Sequence, residues 1–163
     1  MKPSEWIRLD RVLYLVMRVL LGGVFAYAGF AKLMEPAANF RGALAHYEIF
    51  PTAWLDPIAH GLPWAEWILG AFILVGYAPR LTALVLGILS FGFIGGLLAS
   101  HQFWGTGSEY CGCFGQAGLK LTVRQMALLD FSNALIAMRF VFLKNHPLSL
   151  DSWLRSPRFA SSR

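Results

Sequence analysis

The sequence predicts an all-α integral membrane protein, a four-helix bundle with a short amphipathic helix between its first and second spans. Hydrophobic residues make up 56% of the 163-residue chain against 14% charged, with mean hydropathy +0.53, which is too apolar for an ordinary soluble domain of this size. The chain also holds four apolar windows, each of the about 20 residues that a helix needs to cross the hydrocarbon of a bilayer.

The first window covers residues 12–34 and follows a short basic terminus, residues 1–11. Its "AYA" at Ala26 to Ala28 imitates a signal-peptidase site. The apolar run is nonetheless span-length and continues to Lys32, so it reads as a retained span. The segment "EPAANFRGALAHYEIFP" follows, with Phe40, Leu44 and Tyr47 at helical spacing and a stop at Pro51; it is expected to form the amphipathic surface helix. The second and third windows cover residues 58–78 and 81–100, and the fourth covers 124–143. Gly22, Gly23, Ala26 and Gly29, then Gly70, then Gly87 and the "GFIGG" run with Gly92, Gly95 and Gly96 supply small surfaces for close helix packing. Residues 12–143 thus read as one four-span domain, and residues 144–163 as a polar tail.

Loops rich in Lys and Arg stay cytoplasmic. Lys2, Arg8, Arg11, Arg80, Lys144, Arg155, Arg158 and Arg163 fall on one side of the four spans, against Lys32, Arg41, Lys120 and Arg124 on the other. Both termini are therefore expected in the cytoplasm of a bacterial cell, with the protein in its inner membrane. The basic balance then reflects topology and attraction to anionic lipid, and no basic-aromatic stripe points to nucleic acid. The partner that composition itself implies is the lipid bilayer.

This topology puts the connection 101–123, with the motif "EYCGCFG", on the oxidising side. Trp104 and Tyr110, together with Trp54, Trp64 and Trp67, fit an interfacial aromatic belt. Cys111 and Cys113 are the two cysteines of the chain. A disulfide between them would need the bent backbone that Gly112 permits, would be strained, and would suit electron exchange better than stapling a fold. A metal reading takes Cys111 and Cys113 with His101 as ligands; no fourth ligand is evident, so no metal is expected. A glycine-rich turn without sulfur chemistry is the third reading. His46 and His60 read as interfacial polar residues.

The spans carry a second constellation. Ionisable residues within a bilayer are costly and face a partner or a polar cavity. Glu66 and Asp130 are expected about 9 to 12 Å below the outer surface at 1.5 Å per residue, with Lys32 ending the first span on the same side and Asn133 one turn below Asp130. One reading is an internal ion pair, such as Lys32 with Glu66, that holds helices together. The other is proton exchange by Glu66 or Asp130 as the thiols are oxidised or reduced. Arg18, deep in the first span, is expected to pair within the bundle or snorkel to phosphate.

Four stretches carry a family resemblance: "RVLLGGVFAYAGFAKL" (Arg18 to Leu33), "YEIFP" (Tyr47 to Pro51), "LPWAEWILG" (Leu62 to Gly70) and "CGCFG" (Cys111 to Gly115). Over about residues 10 to 143 the chain resembles DoxX-like membrane proteins and, within them, the MauE branch of methylamine utilisation proteins. The resemblance implies a four-helix membrane protein linked to redox chemistry. For MauE it implies help in maturing the disulfide-rich small subunit of methylamine dehydrogenase beside a thioredoxin-like partner. It carries functional weight to Arg18, Lys32 and Glu66, and to the thiol pair Cys111 and Cys113. Quinone-linked oxidants of the vitamin K epoxide reductase type use a CxxC and a second cysteine pair, whereas this chain has one CxC. Electrons are expected to pass either straight to a bound quinone or between soluble partners. The rival reading is a non-enzymatic assembly factor or scaffold with incidental cysteines.

Overall fold

The computed structural model describes residues 3–47, 49–99, 114–115 and 119–143, with side chains from residue 8. Five helices form among them: α1 (Pro3–Leu33), α2 (Ala37–His46), α3 (Thr52–Val75), α4 (Pro79–Ala99) and α5 (Val123–Phe142). Four of these, all but α2, are long and apolar enough to cross a membrane.

The spans bury one stripe each. On α1, Tyr14, Arg18, Leu21, Phe25, Ala28 and Lys32 are buried; their alternating spacing of four and three keeps one face of a 3.6-residue helix turned inward. Leucines and valines on the other faces stay exposed, including Val12, Val19, Leu84 and Leu128. In water this surface would be an aggregation hazard; in a bilayer it is the face that lipid covers.

Packing falls into two antiparallel pairs, α1 with α3 and α4 with α5, while α3 meets α4 sparsely. The α1/α3 pair is close because both helices lack side chains where they cross. A Cβ on Gly70 would overlap the Ala26 backbone, and one on Gly29 would overlap the Pro63 carbonyl and the Trp67 amide. The α4/α5 pair meets where Gly87 faces Ala137, and Arg80 Nε donates to the Val141 carbonyl at 3.2 Å near its end. Of the expected small contact surfaces, Gly23, where a Cβ would meet nothing within 4 Å, and "GFIGG" depart. A Cβ on Gly92 or Gly95 would meet nothing within 4 Å, and one on Gly96 would reach only Ile49. These glycines make room beside α4 instead of drawing a helix onto it.

The helix α3 starts at Thr52, six residues before the apolar window, and runs through Pro57 and Pro63. Proline is tolerated inside a spanning helix when neighbouring elements support the interrupted turns. Here α2 does so, packing Phe40 and Leu44 on Leu55 and Ala59, with the exposed Arg41–Asp56 ion pair at 2.7 Å. The expected amphipathic helix is thus α2, and it folds onto the protein through that stripe. At its other end α3 stops at Val75, short of the expected Ala78, because Gly76 adopts φ 78°, a left-handed cap in which Tyr77 N–H donates to the Phe72 carbonyl at 2.9 Å. The carbonyls left at this end are taken by Arg18: its guanidinium donates to Ile73 O at 2.8 Å and to Leu74 O. Arg18 therefore pairs within the bundle, as a cation at a helix C-terminus.

Candidate functional site

Lys32 lies in the last turn of α1 and on its buried stripe, at 4% exposure. Its ammonium finds its counter-charge across the helix pair, donating to Glu66 Oε2 at 2.5 Å. Two aromatic faces complete the surroundings: Lys32 Nζ stands 5.0 Å from the Phe40 ring centroid and 5.8 Å from that of Phe93. Such cation–π contacts each contribute about 0.5 to 2 kcal/mol, more when desolvated. The lysine is therefore held by α2, α3 and α4 at once.

Asp130 and Asn133 occupy successive turns of α5 and are each 2% exposed. Asp130 lies within electrostatic reach of Glu66 and Lys32. Its Oδ2, together with Asn133 Nδ2 and the Ser90 Oγ of α4, is buried without a hydrogen-bond partner among the described residues. Lys32 can neutralise only one of the two carboxylates; the cluster is electrically neutral when it also holds one proton. The expected convergence of Lys32, Glu66 and Asp130 is what the fold produces, with Asn133 one turn along. Glu66 departs in depth, for it is about 21 Å along α3 from Thr52 at 1.5 Å per residue. The added length is the segment that packs on α2.

The cysteine motif is described only at its C-terminal end. Cys111, Cys113 and His101 lie outside the described residues, as do Trp104, Tyr110 and residues 144–163. Phe114, bonded to Cys113, is 2% exposed and packs with Ala28, Leu97, Val123 and Met126, its ring 5.7 Å from that of Tyr27. Gly115 has φ 75°, and a Cβ there would come within 2.8 Å of Glu35 Oε1. The end of the motif is thus seated where α1 ends and α5 begins, the same end of the bundle as Lys32. Directly after, Thr122 caps α5 through a reciprocal box with Gln125.

Sequence reasoning did not single out Ser90, Glu35, or the two phenylalanines around Lys32. Phe40 carried only a helical-spacing signal, and Ser90 is one hydroxyl in an apolar run; neither spacing nor type marks a partner on another helix. Of the two described histidines, His46 and His60, both exposed, His60 Nδ1 pairs with the Asp56 carbonyl one turn back at 2.9 Å.

Beside Lys32 is a cavity of about 530 Å³ between α2, α3 and α4. Its walls are apolar, from Phe40, Leu44, Ile58, Leu62 and Phe93, and its floor along α4 is Gly92, Gly95 and Gly96. Among the described residues Lys32 is the one charged side chain that reaches it.

Four lipid-facing helices, an internal ion pair and inward-facing polar side chains define a multi-pass helical membrane protein. The family model described as methylamine utilisation protein MauE matches residues 10–143, and the chain belongs to that family. No curated protein and no solved structure matches it.

Proposed function

We propose that this membrane protein carries out or assists thiol–disulfide exchange on the extracytoplasmic face of the bacterial inner membrane, with Cys111 and Cys113 as the exchanging pair. In the exchange, a disulfide between Cys111 and Cys113 is attacked by a client thiolate. One S–S bond breaks and a mixed disulfide forms; a second client thiol then displaces it, leaving two thiols here and one disulfide in the client. A disulfide-containing exported protein, such as a methylamine dehydrogenase subunit, is the client class, and a thioredoxin-like protein is the soluble partner class. The termini are cytoplasmic on the strength of the Lys and Arg distribution.

The observation that carries this reading is the coincidence at one end of the bundle. Phe114, the residue after Cys113, is seated at the end of α1, and Lys32 of the Lys32, Glu66 and Asp130 cluster lies in the last turn of the same helix. Thiol oxidation releases two protons with its two electrons, and Asp130 has a carboxylate oxygen free to take part in their transfer. Membership of a methylamine utilisation family supports the client class.

Thiol trapping in intact membranes, followed by Cys111→Ser and Cys113→Ser variants assayed for disulfide formation in exported proteins, tests it. A pair that cycles between thiol and disulfide, and variants that lose client oxidation, is the expected result. Permanently free thiols with variants equal to wild type would leave a docking scaffold as the surviving function.

A further inference from the structure

The cavity beside Lys32 has the properties of a ligand site and not of a packing defect. Its volume of about 530 Å³ falls inside the roughly 300 to 1,000 Å³ range of pockets that enclose ring-sized ligands, which are apolar with few placed polar groups. Gly92, Gly95 and Gly96 line it, and the space around their Cβ positions is open, save for Ile49 near that of Gly96. Ile88 and Phe50 line it and are exposed at 61% and 42%, so it opens toward the lipid-covered face of the bundle. A ligand would arrive from the bilayer.

The chemistry of its charged wall selects among lipid-phase molecules. An ammonium has three N–H donors, and Lys32 uses one on Glu66. The remaining donors can serve an acceptor in the cavity. An anionic head group is disfavoured there, because Glu66 already neutralises Lys32 and Asp130 lies within electrostatic reach of both. A neutral carbonyl is accepted without that repulsion. The Phe40 and Phe93 rings near Nζ offer faces and edges to a flat ring.

We propose that this cavity binds a lipid-soluble quinone, with Lys32 Nζ donating to a ring carbonyl and the ring lodged between Phe40 and Phe93. The assignment deepens the thiol-exchange reading and rests on it for the redox step, since it names the acceptor class that would reoxidise the pair. Two S–H bonds break and one S–S bond forms as Cys111 and Cys113 lose two electrons and two protons. The quinone gains both pairs, and its two carbonyls become the hydroxyls of a quinol.

Titration of the purified full-length protein in detergent with decylubiquinone, followed by tryptophan quenching, tests binding without any redox turnover. Saturable quenching is expected for wild type and for the Cys111→Ser, Cys113→Ser double variant alike. Gly92→Phe, which fills the cavity from a position with open space around its Cβ, is expected to weaken binding at least tenfold; Gly95→Phe serves if the first variant does not fold. The Lys32→Met, Glu66→Gln double variant is expected to lose about tenfold, the usual worth of a hydrogen bond to a charged donor. Quenching that is unchanged in the filled cavity, or that dodecane displaces as well as decylubiquinone does, would overturn the assignment and mark the cavity as an acyl-chain site. Binding intact in a protein whose cysteines never cycle would defeat the thiol reading and leave the quinone site standing.

Discussion

Breaking the Lys32–Glu66 pair from one side is expected to cost far more than removing both partners. Both side chains are at most 2% exposed and meet at 2.5 Å. Lys32→Met leaves the Glu66 carboxylate buried with Asp130 beside it, and removing one member of a buried ion pair costs about 3 to 5 kcal/mol. Glu66→Gln leaves an ammonium that still has Phe40, Phe93 and the charge of Asp130, so its cost is expected to be smaller, about 1 to 3 kcal/mol. The double variant replaces two charges by neutral groups of similar size and is expected within about 1 kcal/mol of wild type. The resulting coupling, at least about 3 kcal/mol, is a large share of the roughly 5 to 15 kcal/mol that holds a typical domain together. Unfolding of the four proteins in mixed micelles, followed by helical circular dichroism, measures it. Additive single costs, or a Lys32→Met protein as stable as wild type, would refute a pair that is buried and mutually dependent.

Two more outcomes follow from close contacts. Gly70→Val sets a branched side chain against the Ala26 backbone and is expected to part α1 from α3 at a cost of about 1 to 3 kcal/mol or more, seen as loss of folded protein in the same unfolding assay. Gly115→Ala forces a Cβ into the left-handed region at φ 75° beside Glu35, costing about 1 to 2 kcal/mol; hydrogen exchange should quicken around Phe114 while the α1/α3 core keeps its protection.

Much of the site was legible because charge inside an apolar window is conspicuous. Lys32, Glu66 and Asp130 drew notice for the same physical reason that the fold brings them together: a bilayer leaves an ion no partner except another buried group. Their identity as a cluster could be anticipated, but the aromatic cradle of Lys32 could not, because it depends on α2 folding back and on which face of α4 turns inward. The GFIGG run was read as a contact surface and turned out to line a cavity. A small-residue motif states only that something can come close; the neighbouring helix decides whether anything does. The start of α3 at Thr52 lay outside the apolar window for a related reason, since its first turns are covered by α2.

The one-dimensional pattern by itself determined the number of spans, the amphipathic α2 and the residues that must be paired inside the bundle. Those properties follow from transfer of side chains between water and lipid, which is set residue by residue. Only the tertiary structure decided that α3 is matched to α1 and α4 to α5, that Arg18 closes the end of α3, and that a space is left beside Lys32. Those outcomes depend on the shapes of facing surfaces, and a shape is made by two helices together.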